Sequence, residues 1–353
     1  LFYSCYSIQS LEKQNSKMIN ESNNSTTSSS LMCTTNEIGA DIIVWRIGAF
    51  LLPILGLSGH LLMTLTILNT NRRNFHPLSL YYLFISLAES IYLSFMFWDW
   101  LDVVNLAPDP RKILNCAYFY PFVGSAATIS LILLACLNIE RVSIINHPQI
   151  THSNQRILMK IFVAYTIFIF FFIHYHYSVR YSQQSFIIFG QSCYVYEHAR
   201  QWFYSIWPYI QLFSRLIPCL IIIHCTIFIC LNRYRTVHRN SVHRQQQTFS
   251  FVLVIVSLYT LCATLPITIL QLFNYRMQQY EIDNRYFCQT NSIKANQWKF
   301  LNALLIMWEG STYMNKFYIK LFVSIEFRNH VKQTIEQQWE NPYKRIHNLL
   351  NKT

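Results

Sequence analysis

Seven stretches of the chain stay apolar over the roughly 20 residues that a helix needs to cross the hydrocarbon of a bilayer. They are Ile42–Leu68, Leu78–Trp98, Tyr118–Val142, Ile157–Tyr177, Phe203–Leu231, Phe249–Phe273 and Phe300–Val323. Each predicts a membrane-spanning helix. A shorter segment, Ser324–Trp339, places Ile325, Phe327, Val331 and Ile335 among basic residues. That spacing predicts an amphipathic helix on the inner membrane face. Residues 1–41 are polar and rich in Ser, Asn and Thr, too poor in apolar side chains to bury a core, and are expected to be disordered. The expected fold class is therefore all-α. A seven-helix bundle over 42–323 is followed by an amphipathic helix and cytoplasmic tail over 324–353.

Composition agrees with this pattern. Of 353 residues, 52% are hydrophobic and only 12% charged, outside the range of ordinary soluble domains, and little chain is left for a separate soluble domain. The net charge of +12 raises the question of a nucleic-acid partner. The basic residues lie in short segments between and after the apolar runs, where attraction to anionic lipid accounts for them, and no nucleic acid is expected. With the amino end outside, more Lys and Arg fall in cytoplasmic segments than in outer ones, as the positive-inside rule requires. No charged-then-apolar leader precedes the first run, which can act as its own signal-anchor. The first residue is Leu, and the native start is expected at Met18 or upstream of the given sequence. Asn20, Asn23 and Asn24 each begin an N-x-S/T triplet, a glycan acceptor if this end is extracellular.

Nine of the ten cysteines divide by compartment. Cys136, Cys219, Cys225, Cys230 and Cys262 lie in apolar runs, where a thiol behaves as a small hydrophobe. Cys33, Cys116, Cys193 and Cys288 fall on the side expected to be oxidising.

The third run carries the densest signal. It opens at Cys116, reaches Glu140-Arg141 after 25 residues, and is followed by His147-Pro148. A cysteine at the outer end, an acid-arginine pair at the inner end and a proline just beyond make the chain resemble a rhodopsin-like G-protein-coupled receptor. Val142 stands where that family usually has Tyr. The resemblance implies a receptor in the plasma membrane with its amino end outside, no enzyme activity and no cofactor. It implies coupling to a heterotrimeric G protein through Glu140 and Arg141, with Glu140 holding Arg141 at rest. It also implies a disulfide from Cys116 to Cys193, which sits in an alternating aromatic stretch able to form a hairpin over the bundle mouth. A second bridge between Cys33 and Cys288 stays open.

Other positions match that family in part. Ser86-Leu87-Ala88-Glu89 is similar to its S-L-A-D, which places Glu89 at the buried acid and Ser130 at the hydroxyl of its sodium pocket. A carboxylate in hydrocarbon must be neutral, paired or water-lined, and both a sodium site and a protonated structural acid are open readings. Val123 occupies the place of the amine-receptor Asp, which argues against an amine ligand. His60 replaces the usual Asn of the first helix, Thr264 the Trp before Pro266, and the fourth run has no Trp. In the last run the N-P-x-x-Y motif is broken in either register, with Lys316 and Ile319, or Lys316 and Lys320, on its key positions. His174 and His176 point to different helix faces and are expected to pack, since a metal site needs more ligands.

The expected ligand is a neuropeptide, on a resemblance to FMRFamide-like receptors. Glu309 beside Trp308 is expected to meet an arginine and an aromatic ring of the ligand, with Asp99 and Asp102 as an outer acidic lure. Arg215, too deep to snorkel, needs an acid or a ligand. Pairing of Glu309 with Arg215 is the competing reading. Buried Glu89, Arg215 and Glu309 also suggest a transporter or channel. The altered motifs keep open a receptor-shaped protein that no longer signals.

Overall fold

The structure, a computed structural model, describes residues 40–71, 78–110, 113, 116–146, 157–165 without 159 and 164, 181–186, 190–195, 207–236, 244–283 and 292–336. The apolar runs become helices α1 (Ala40–Asn71), α2 (Leu78–Val103) and α3 (Cys116–Asn146), a described stretch α4 (157–165), then α5 (Trp207–Thr236), α6 (Arg244–Asp283) and α7 (Ser292–Val323). After Ser324 the chain turns into α8 (325–336). The all-α expectation needs one addition, an antiparallel hairpin of β1 (Tyr181–Phe186) and β2 (Gly190–Val195) that pairs Gln183 with Cys193. It lies in the segment read as alternating, and β1 rests against α3.

Helices form because a backbone group in hydrocarbon has no water to bond and must be satisfied within its own segment. Among the described residues five helices are long and apolar enough to cross a membrane: Ile43–Asn69, Leu78–Asp102, Val123–Asn146, Leu212–Asn232 and Phe249–Leu270. These make the chain a membrane protein in character. Its outward faces agree, with Ile47, Phe50, Leu61, Ile217 and Leu258 among the large apolar side chains left exposed. Most helices outrun the apolar segments that predict them, because hydrogen bonding continues into the polar interface. At 40 residues, α6 is about 60 Å long and extends well past a hydrocarbon core of about 30 Å. The end of α2 is a Schellman cap: Leu106 donates to Leu101 O at 2.8 Å and Asn105 to Asp102 O at 2.9 Å. Asn105 takes φ 58°, a left-handed conformation that Asn tolerates.

The helices pack as a closed ring in the order α1, α2, α3, α5, α6, α7 and back to α1. Where α1 meets α7 the backbones come close at glycine. A Cβ on Gly59 would lie 3.0 Å from the Phe317 ring, and one on Gly310 would lie 3.1 Å from Leu52. Ser324 starts α8 as its N-cap, its hydroxyl accepting from Phe327 N at 3.2 Å. Val331 anchors α8 in the inner core, while Ile325 and Ile335 stay exposed.

Two apolar clusters fill the ring. The inner one, so called for the end that carries α8, includes Met63, Ile85, Leu134, Leu261 and Phe317; the outer one, at the other end, includes Ala49, Tyr92, Ala127, Ile267 and Tyr313. Polar residues mark the change from one to the other: His60 in α1, Glu89 in α2, Ser130 in α3, Thr264 in α6 and Lys316 in α7, all buried. This polar layer is why α7 is not among the five apolar spans. Glu309, Lys316 and Lys320 lower its hydropathy, yet all three are buried toward the other helices.

Candidate functional site

The polar layer begins at Glu89. Its Oε1 accepts from the Ser130 hydroxyl and from the Lys316 ammonium, and Lys316 Nζ also donates to Ser130 Oγ at 2.9 Å. The three side chains come from α2, α3 and α7 and are almost wholly buried. Glu89 Oε2 has His60 Nε2 at 3.6 Å. His60 Nε2 donates to Tyr313 O at 2.7 Å, and its Nδ1 shares a hydrogen bond of 3.0 Å with the Ser86 hydroxyl. His60 therefore stitches α1 to α7 and α2.

This geometry resolves the two readings of Glu89 in a third way. A buried acid needs a counter-charge, and Lys316 carries it on a tether, its ammonium between the carboxylate and the hydroxyl where a free cation would stand. Lys316 was legible only as a broken motif. The signal that pointed to it was a lone acid in α2 with no cation assigned to it.

Toward the outer cluster lies a second ion pair. Arg215 Nη1 of α5 donates to Glu309 Oε1 of α7 at 2.7 Å, and both side chains are nearly inaccessible. Of the two readings of Glu309, the internal pair is the one formed. Between the two ion pairs lies a cavity lined by Thr128, Ser130, Arg215, Thr260, Thr264, Glu309, Thr312, Tyr313 and Lys316. It has clear space for about one water molecule. Tyr313 of its lining packs on Tyr92, ring centroids 4.4 Å apart.

Two expectations fail here. Trp308 is 43% exposed while Glu309 is 2% exposed, because consecutive residues on a helix point about 100° apart. Trp308 faces away from the cavity, so it cannot stack on a ligand held by Glu309. Asp99 is fully buried, so it does not present its charge at the surface as an acidic lure must; Asp102 is half-buried. Val123 faces the interior, in the outer cluster.

No protein-family model and no curated protein matches the chain. Function is therefore read from the polar layer and the inner end of α3.

At that inner end Glu140 accepts from Lys160 of α4. Arg141 donates from Nε to Ser250 Oγ of α6 at 2.9 Å, and its guanidinium lies 5.5 Å from the centroid of Phe249. Phe249 meets Tyr82 edge-on at 6.0 Å, and Lys320 Nζ sits over the Tyr82 ring, 2.8 Å from its centroid. One turn above, Asn138 Nδ2 donates to Ser257 Oγ at 3.1 Å. The inner faces of α2, α3, α6 and α7 are thus joined by contacts that each cross between helices.

The side chains of Cys116 and Cys193 lie outside the described residues. So do Asn20, Asn23 and Asn24, the pair Cys33 and Cys288, and His174 with His176. Cys136, Cys219, Cys225, Cys230 and Cys262 are free thiols.

Proposed function

We propose that the chain is a receptor of the rhodopsin-like type. In this reading seven helices span the plasma membrane with the amino end outside, and α8 lies on the inner face. A disulfide from Cys116 to Cys193 ties the hairpin to α3. A peptide ligand binds from outside and reaches the cavity with one group, and the inner face activates a heterotrimeric G protein.

The observation that carries the proposal is Arg141. A buried guanidinium at the inner end of α3 is costly, and here the Ser250 hydroxyl of α6 accepts from its Nε. That bond joins α3 to α6, so it suits a contact that must break when α6 moves. The ligand would act by its differential affinity for the arrangements with and without that contact.

A transporter would also place charges in the middle of the bundle. Transporters of that kind build their sites from interrupted helices, whereas α2, α3, α6 and α7 each run unbroken through the polar layer, which favours the receptor.

The test is nucleotide exchange on a panel of G proteins in membranes displaying the chain. Ser250→Ala is expected to raise ligand-free exchange severalfold, and Arg141→Ala to abolish exchange with surface expression retained. Wild-type exchange from the Arg141→Ala variant would remove the reading.

A further inference from the structure

The helices α5 and α7 are not neighbours in the ring, yet Arg215 and Glu309 join them across the cavity at 2.7 Å. We infer that this pair is the attachment point of the ligand, and that the group it takes is a carboxylate, which replaces Glu309 on Arg215. The inference deepens the receptor proposal and rests on it in taking the cavity as the ligand site.

The choice of charge follows from an asymmetry between the two partners. A ligand that opens the pair strands one of them in a site with space for about one water molecule, and an unpaired buried charge is expensive. Arg215 cannot shed its charge, because a guanidinium stays protonated under all ordinary conditions. Glu309 can, by taking a proton. An incoming guanidinium would bind Glu309 and leave Arg215 stranded. An incoming carboxylate binds Arg215 and leaves Glu309 to become a neutral acid. The exchange balances: the bond from Arg215 Nη1 to Glu309 Oε1 breaks, the ligand carboxylate accepts from the guanidinium, and one proton from solvent joins Glu309. The cavity holds one cation and one anion at this pair before and after.

The surroundings can house the released acid. Tyr313, Thr260, Thr264 and Thr312 line the same space. The titratable groups that face the pair are Cys219 on α5, Tyr92 on α2, and Tyr313 and Lys316 on α7, with Asp99 a neighbour of Tyr92; α3 and α6 contribute hydroxyls. Lys316 does not compete for the ligand, being held by Glu89 and Ser130. This replaces the sequence-based expectation of an arginine-bearing ligand read by Glu309, since that carboxylate already has its guanidinium.

The test uses the full-length protein in lipid nanodiscs and thermal unfolding, with butyrate as the probe and butyramide and propylguanidinium as uncharged and cationic counterparts. Between about pH 6 and about pH 8 the probe stays ionised. Butyrate is expected to stabilise the protein, and its apparent affinity to fall by up to about tenfold per pH unit as pH rises, because binding takes up one proton. The two counterparts should have no effect. Glu309→Gln, which fixes the neutral state, should bind butyrate at least as tightly and without pH dependence; Arg215→Gln should abolish the response. Stabilisation by propylguanidinium instead of butyrate would overturn the inference. So would no stabilisation by any probe, or a butyrate response that survives Arg215→Gln. Because the readout needs no G protein, a negative result removes the anion site and leaves the nucleotide-exchange test of the receptor reading standing.

Discussion

Lys316 of α7 donates to the same oxygen of Glu89 in α2 that accepts from Ser130 of α3. Three helices are thereby fixed to one carboxylate at the boundary between the two apolar clusters. The lysine that breaks the seventh-helix motif is the residue that lets the second-helix acid stay buried.

Removing one partner of such a pair leaves a bare charge. Lys316→Met is expected to cost about 3–5 kcal/mol of stability, and Glu89→Gln added to it should recover most of that loss, since replacing both partners of a buried pair is far milder than breaking it. Chemical unfolding of the four proteins of this double-mutant cycle in detergent measures the coupling. Additive losses would mean that the two side chains do not depend on each other.

The tethered ammonium also excludes a mobile metal cation. The unfolding temperature of the wild-type protein should be the same in sodium chloride as in choline chloride at equal ionic strength. Lys316→Ser opens the space beside Glu89 and Ser130, and this variant should be stabilised by sodium relative to choline. A sodium response in the wild type would show that Lys316 leaves the site.

The contact of α1 with α7 depends on the absence of a side chain at Gly59. Gly59→Leu drives atoms into the Phe317 ring, which a Cβ alone would approach to 3.0 Å, and overpacking of this kind costs about 1–3 kcal/mol. The adjacent Ser58 is exposed, and Ser58→Leu should leave the unfolding free energy unchanged. Equal effects of the two substitutions would argue against this packing.

The membrane character was legible because it is a local property. Whether about 20 consecutive residues satisfy their own backbone in hydrocarbon is decided by those residues alone, and α2 begins at the expected Leu78 and α7 ends at the expected Val323. The sequence also singled out Glu89, Arg215 and Glu309 as charges too deep to be left alone, since the cost of burying a charge does not depend on the fold.

Which partner meets each charge was decided only in three dimensions. Pairing depends on how the helices are ordered and rotated, and α2 with α7, or α5 with α7, meet across more than 90 residues of intervening chain. Rotation is why Glu309 faces the cavity and its neighbour Trp308 does not, and why Asp99 is fully buried while Asp102 is only half-buried. Lys316 and Lys320 show the division most plainly. By sequence they are polar errors in a span, and by tertiary structure one holds a carboxylate and the other a tyrosine ring, because a helix inside a ring of helices can be polar wherever its neighbours supply the opposite charge.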